Sequence, residues 1–301
     1  MTVTLPFNRD FRCDYGVVEQ VSPLIRRIVA ENPGPFTFTG TGTYIIGRGE
    51  VAIIDPGPAM AAHIDALLGA LAGERVTHIL VTHTHADHSP AAGAIKRATG
   101  ALTLGFGGHG GRADDEAAEE GADRTFVPDV RLKDGDVVEG AGWVLEAVHT
   151  PGHTANHLCY ALREERALFS GDHVMGWSTS VISPPDGNMA DYLASLEALL
   201  ARDDVIYWPT HGAPIAKPRP LVEAFIAHRL DRERQILACL EKGVALIPDL
   251  VKEMYLDIPH YLHPAAARSV LAHLICMVDT GRVVCDQSPA PNARFAIPRR
   301  G

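Results

Sequence analysis

Within six positions, His83-Thr84-His85-Ala86-Asp87-His88 place three imidazoles and a carboxylate directly after an apolar run, 76–82, that reads as a strand. A solubilising loop would favour Lys, Glu and Ser. Neutral nitrogen donors beside a carboxylate are instead the ligand types of a divalent metal, zinc above all. The array constrains the fold because a catalytic site leaves a position for water, and four ligands in one loop do not close two such sites. Further donors must arrive from elsewhere in the chain. Ser89-Pro90 supplies an N-cap followed by proline at the first helical position, so the array sits on a loop between a strand end and a helix over 89–99. Loops of this kind collect active sites.

Donors of the right type recur downstream in one kind of setting. His153 stands in Thr150-Pro151-Gly152-His153-Thr154, Asp172 in Phe169-Ser170-Gly171-Asp172-His173, and His211 in Pro209-Thr210-His211-Gly212. Each follows an apolar, strand-like run and is flanked by Gly or Pro, which turn the backbone sharply and expose a donor at the rim of a sheet. Strands are expected over 43–46, 51–54, 76–82, 101–104, 143–149, 158–162, 167–170 and 205–208, and helices over 59–72, 89–99 and 189–201. The class is therefore mixed α and β.

Two prolines in Ala216-Lys217-Pro218-Arg219-Pro220 mark a change of character. Beyond them the pattern predicts helices over 220–242, 247–255 and 264–280 and short β segments over 282–285 and 294–297, a winged-helix-like unit. The chain thus divides into a catalytic domain, 1–217, and a C-terminal domain, 218–301.

The formal charge of −10 argues against wholesale coating of nucleic acid or membrane. Residues 218–301 carry 11 Lys and Arg against 9 Asp and Glu, so the acidic excess belongs to the larger domain. Asp114-Asp115-Glu116 with Glu119-Glu120 reads as a solvated surface segment. Five scattered cysteines form no Cys-X-X-Cys pair and indicate neither a disulfide framework nor a zinc knuckle. With no apolar run of signal-peptide or membrane-spanning length, a cytoplasmic location is expected.

His83-X-His85-X-Asp87-His88, followed in order by His153, Asp172 and His211, resembles the metallo-β-lactamase superfamily over roughly residues 15–215. The resemblance implies an α+β fold, a four-layer αβ/βα sandwich, holding two divalent ions, with zinc expected and manganese or iron as alternatives. It implies that His83, His85 and His153 hold one ion, that Asp87, His88 and His211 hold the second, and that Asp172 bridges them. Asp55, in Ile53-Ile54-Asp55-Pro56-Gly57, is similar to the superfamily carboxylate that orients a ligand histidine and sets its tautomer.

Gly40-Thr41-Gly42-Thr43-Tyr44, Thr150 to His157, and His228-Arg229 further resemble the lactamase-β-like 2 branch, which carries a winged-helix-like C-terminal extension and includes a single-strand-selective endoribonuclease. Gly42 departs from that pattern where Asn is usual, and Asn156 where Asp is common. Glyoxalase II shares the Thr-Pro-Gly-His-Thr signature.

The implied chemistry is hydrolysis by a hydroxide shared between two ions, since metal lowers the pKa of bound water from 15.7 to about 7. Asp87, Asp172 and Asp55 are the expected catalytic carboxylates, with Asp87 either a ligand alone or also a proton donor to the leaving group. Expected substrate contacts are His157, Trp177 on the 174–188 loop, and His228 and Arg229, which share a helix face with Arg232. A surface stripe with Arg229 paired to Glu233 is the plainer alternative. His63, His78, His109, His260, His263 and His273 have no partner pattern and read as structural or exposed.

Two enzyme readings follow: cleavage of single-stranded RNA, favoured by the branch resemblance, and hydrolysis of a small ester, thioester or lactone, favoured by the acidic main domain. A third makes the winged helix a nucleic-acid-binding or partner module on an inactive core, against which the intact ligand set argues. No membrane partner is expected, and a homodimer is left open.

Overall fold

The computed structural model describes residues 4–110, 121–256 and 258–298. The acidic stretch of Asp114, Asp115, Glu116, Glu119 and Glu120 lies outside the described residues. Two sheets face one another. The first runs in chain order through β1 (Glu19–Gln20), β2 (Ile25–Val29), β3 (Gly42–Arg48), β4 (Glu50–Ile54), β5 (Arg75–Leu80), β6 (Leu102–Gly105) and β7 (Val130–Arg131), antiparallel as far as β4 and parallel beyond it. The second contains β8 (Val137–Gly140), β9 (Trp143–His149), β10 (Leu158–Leu162), β11 (Ala167–Gly171) and β12 (Ile206–Pro209) in spatial order β12-β11-β10-β9-β8, with β11 and β12 parallel.

Strand alternation explains the layering, because successive side chains point to opposite faces. Tyr44 and Ile46 of β3 meet Leu158, Tyr160 and Leu162 of β10 in a core between the sheets. Ile45, Ile53 and Ile79 point outward onto Leu67 of α1 (Ala61–Ala70) and Ile95 of α2 (Ala92–Thr99). On the other side, Cys159, Ala161 and Leu168 point outward onto Tyr192, Leu196 and Leu199 of α3 (Met189–Leu200). The result is a four-layer αβ/βα sandwich of the expected class. It ends in α4 (Pro218–Glu241), α5 (Ile247–Met254), α6 (His263–Asp279) and an antiparallel pair, β13 (Val284–Cys285) with β14 (Phe295–Ala296).

Helix α4 serves two cores. Its first turns bring Leu221, Val222 and Phe225 onto the second sheet and α3, while Ile236, Cys239 and Leu240 pack with Leu250, Val270, Leu274 and Phe295 in the C-terminal unit. A division drawn at 217/218 therefore falls at the head of a helix that both units bury.

Several local expectations differ from the structure. Helix α4 begins at Pro218 rather than 220, since proline is tolerated where the N–H has no helical partner. Ser89 is not a cap: α2 is preceded by Ala91 with no side-chain cap, and the Ser89 hydroxyl donates instead to Asp123 Oδ2 (2.7 Å). Strand β2, Ile-Arg-Arg-Ile-Val, escapes a search for apolar runs because two arginines interrupt it, although Arg27 is itself buried.

Phe225 is fully buried where α4 meets the second sheet. Phe225→Ala is expected to lower the unfolding free energy by about 3–5 kcal/mol through lost burial and a cavity. Urea denaturation measures it, and a loss under about 1 kcal/mol would contradict the shared core.

Candidate metal centre

All the donor loops leave strand ends on one rim of the sandwich. Residues 81–89 follow β5, His153 lies between β9 and β10, Asp172 follows β11 and His211 follows β12. The register of β11 against β12 shifts between Phe169 and Gly171, an irregularity of the bulge type that re-aims the chain just before Asp172.

Asp55, at the end of β4, is 1% exposed and adopts a left-handed φ of 50°, a conformation Asp tolerates better than most residues. Its carboxylate accepts the Thr82 N–H (2.8 Å), the hydroxyls of Thr82 (2.8 Å) and Thr210 (3.0 Å), and the Nδ1 proton of His88 (2.9 Å). Because a carboxylate only accepts, the neutral His88 ring carries its proton on Nδ1 and turns the Nε2 lone pair toward the other donors.

The same logic fixes neighbouring rings. His153 Nδ1 donates to the Val181 carbonyl (2.7 Å) and His211 Nδ1 to that of Gly40 (3.1 Å), so each ring in its neutral form presents the Nε2 lone pair to the site. The Thr82 hydroxyl has given its proton to Asp55, so it accepts from His83 Nδ1 (3.1 Å) and leaves His83 Nε2 unprotonated. His85 Nδ1 then faces two lone pairs, His83 Nε2 at 2.9 Å and His153 Nε2 at 3.2 Å, with at most one proton between them. A cation satisfies all three nitrogens together.

Candidate ligand atoms of His83, His85 and His153 lie within 4.8 Å of one another, as do those of Asp87, His88 and His211. Asp172 stands between the two sets, with Oδ2 3.6 Å from His88 Nε2 and 3.9 Å from His153 Nε2, and Oδ1 3.4 Å from His211 Nε2. Among the described residues, buried His88 Nε2 and Asp172 Oδ1 find no hydrogen-bond partner. The donor set fits a pair of divalent ions.

Electrostatics separates the two halves. Burial, then the neighbouring imidazoles of His88, His85 and His153, pushes His83 well below the ordinary histidine value. At His211 burial works downward, but the carboxylates of Asp172 and Asp87 overcome it and raise the ring to about 10. Burial likewise opposes ionisation of Asp87 and Asp172, yet His88 and His211 hold both well below the usual carboxylate range. A geometry that attracts protons this strongly attracts any cation that can replace them.

The other expected residues are distributed differently. Trp177 is half-buried, stacks on Phe38 with ring centres 4.8 Å apart, and borders Gly212 beside His211, a wall position. Phe36, Met175 and Val181 cover His85, Asp87, His153, Asp172 and His211 around a cavity of about 30 Å³.

Two expected substrate contacts lie beneath the surface. His157 is fully buried: Nε2 accepts the Asp172 N–H (3.3 Å) and Nδ1 donates to Thr150 Oγ1 (2.8 Å), so the ring supports the backbone of Asp172 and has no nitrogen left for substrate. Arg229 is 3% exposed, with Nη2 donating to the Ser180 carbonyl; it is not paired with Glu233, which binds Arg282. His228 is half-buried on α4.

Spacing alone misses the threonines. Thr41 donates to Asp87 Oδ2 (2.9 Å), and Thr82 and Thr210, each immediately before a candidate ligand histidine, both donate to Asp55. The repeated Thr-His step at strand ends is the signal that finds them. His109 also belongs near the site, with Nδ1 3.2 Å from Thr84 Oγ1 and its ring 6.2 Å from that of His85. Asn156 suits its place because its amide donates to Thr84 Oγ1 (2.8 Å) and faces the Gly108 carbonyl (3.3 Å), which an Asp carboxylate would repel.

The metallo-beta-lactamase superfamily model matches residues 37–211, and the beta-lactamase associated winged helix domain matches 247–290. This chain belongs to the metallo-beta-lactamase superfamily, as a hydrolase with an associated winged-helix domain. Among its relatives, the Beta-lactamase-like protein 2 homolog of Caenorhabditis elegans is 34% identical over 84% of this chain and 83% of its own. An atrochrysone carboxyl ACP thioesterase from a Cryptosporiopsis species is 32% identical over 80% and 75%. In fold the chain is similar to a beta-lactamase domain protein from Burkholderia ambifaria, with a TM-score of 0.80 at 22% identity, covering 98% of this chain and 97% of that one. Among the described residues, no helix is long and apolar enough to cross a membrane.

Two outcomes are expected. His85→Ala should lose bound zinc in an equilibrium titration against a chromophoric chelator, and unchanged binding would remove His85 from the ligand set.

The second concerns acid. Burial, then the cations Arg229 and Arg232, lowers His228 to about 3, so as pH falls the unfolded chain, with an imidazole near 6.5, takes up its proton first. This stability is present in full above about pH 6.5 and drains away toward pH 3. His228→Gln should therefore show a smaller fall in urea midpoint between pH 7 and pH 5 than the parent, and an equal fall would refute it.

Proposed function

We propose that this chain is a dinuclear metal-dependent hydrolase of thioesters or other activated esters with an apolar acyl group. The observation that carries the reading is the pair of facing donor sets, His83-His85-His153 and Asp87-His88-His211, with Asp172 between them. When bound, two divalent ions supply water of lowered pKa and polarise the carbonyl under attack. The chain's own groups do the rest. Asp172 keeps the two ligand sets at a fixed separation, Asp55 holds the His88 ring in one tautomer, and Asp87, which borders the cavity, accepts the Thr41 hydroxyl and is held ionised by His88 and His211, offers its charge as an anionic donor to the metal.

The walls favour this substrate class. Phe36, Met175 and Val181 offer an apolar surface directly over the ligands, and Trp177 extends it through its stack on Phe38. A relative is named for thioester cleavage on an acyl carrier protein, a chemistry this pocket suits. The RNA reading calls for cations that meet phosphates at the mouth, whereas Arg229 and Arg232 are already committed: Arg229 to Ser180 O, and Arg232 to Gln235, the Met254 carbonyl and the ring of Tyr255. An inactive core does not suit a donor set this complete.

A panel of acyl thioesters and a single-stranded RNA, each at low and high salt, tests the assignment. Thioester turnover with little salt dependence is expected. RNA cleavage that weakens steeply with salt, as phosphate contacts do, without thioester turnover would overturn it.

A further inference from the structure

Arg229 is a buried cation of α4 whose contacts lead to the metal ligands. Its Nη2 donates to the Ser180 carbonyl (2.5 Å), its Nη1 to Ser269 Oγ on α6 (3.4 Å), and its guanidinium lies 5.1 Å from the ring centre of Tyr192 on α3. No carboxylate among the described residues forms an ion pair with it, so its burial is costly and its hydrogen bonds carry unusual weight.

The residue it holds sits at a junction. The Ser180 hydroxyl donates to the carbonyls of Asp172 (2.5 Å) and His173 (2.8 Å), and the next carbonyl, Val181 O, receives the Nδ1 proton of His153 (2.7 Å). Two consecutive residues thus join the C-terminal unit to one candidate ligand's backbone and another's ring. The segment between β11 and α3 has only turns of its own and no ladder to fix it, so its course depends on such anchors.

We propose that Arg229 is a positioning residue for the metal centre: by fixing Ser180 and Val181 from the C-terminal unit, it holds Asp172 and His153 in ligating geometry. The planar guanidinium suits the task, since it remains charged and its donors are fixed in a fork, which an ammonium on a flexible stem lacks. Partners behind a ligand govern its orientation and hence its affinity for metal. The inference rests on the ligand assignment above.

Zinc titrations of metal-free full-length protein against a competing chelator test it. Arg229→Met should weaken zinc binding by about tenfold or more, the usual effect of losing a partner behind a ligand. Arg229→Lys should recover part of the loss. Ser180→Ala should weaken binding as well, and the double variant by less than the product of the two, because both act through one link.

Arg282→Ala, which breaks the pair with Glu233 inside the C-terminal unit, should leave zinc affinity as it was and so controls for general loosening. Wild-type affinity in Arg229→Met, equal weakening in Arg282→Ala, or full multiplicativity in the double variant would each overturn the proposal. Undiminished zinc in His85→Ala would instead overturn the ligand assignment, and this inference with it.

Discussion

One buried carboxylate fastens the catalytic rim together. Asp55 accepts from Thr82 and His88, which follow a strand of the first sheet, and from Thr210, which follows a strand of the second. Other cross-sheet bonds lie close by: Tyr160 Oη donates to Val81 O (2.8 Å), Tyr44 Oη to Pro209 O (2.6 Å), and Leu158 N–H to Thr82 O (2.8 Å). Each donor at Asp55 is buried, so removing the acceptor would leave several groups unsatisfied at about 1–3 kcal/mol apiece. The tautomers of His88 and His83 both descend from this one anion, directly for the first and through the Thr82 hydroxyl for the second.

The chemistry of this chain is more legible in its sequence than its packing is. His153, Asp172 and His211 stand out because strand ends flanked by Gly or Pro can be recognised from local residue types, and the structure gathers them beside residues 83–88. Arg27 and Arg229 are the opposite case. A search for apolar periodicity treats arginine as a surface residue, yet both are buried, Arg27 against Glu19 and the ring of Phe11, and Arg229 on a backbone carbonyl. The partner of Arg229 comes from a distant segment, 49 residues away at Ser180, and no local pattern encodes it. Ser89 shows the same limit at short range: its hydroxyl had two suitable uses, and Asp123 took it.

The C-terminal unit is bound to the sandwich by more than a linker. Because α4 and α6 each contribute to two cores, Phe225 and Ala272 on one and Ile236 and Val270 on the other, the two units share their apolar burial and are not free to part without exposing it. The loop that roofs the candidate site runs between β11 and α3, and it is pinned from this second unit, so the shape of the pocket and the docking of the winged helix are one problem.

The irregularity between Phe169 and Gly171 has a meaning for how this rim tolerates change. In a regular strand each added residue reverses the side-chain direction, so the facing of Asp172 is set by the count of residues from β11 as much as by their identity. Ser170 is the residue that makes the count come out, and its hydroxyl, donating to Val174 O (2.8 Å), gives the extra step a fixed shape. Deleting a residue of this turn would thus disturb the site more than replacing one. A single codon lost there would rotate the Asp172 carboxylate away from its partners while every candidate ligand remained in the sequence.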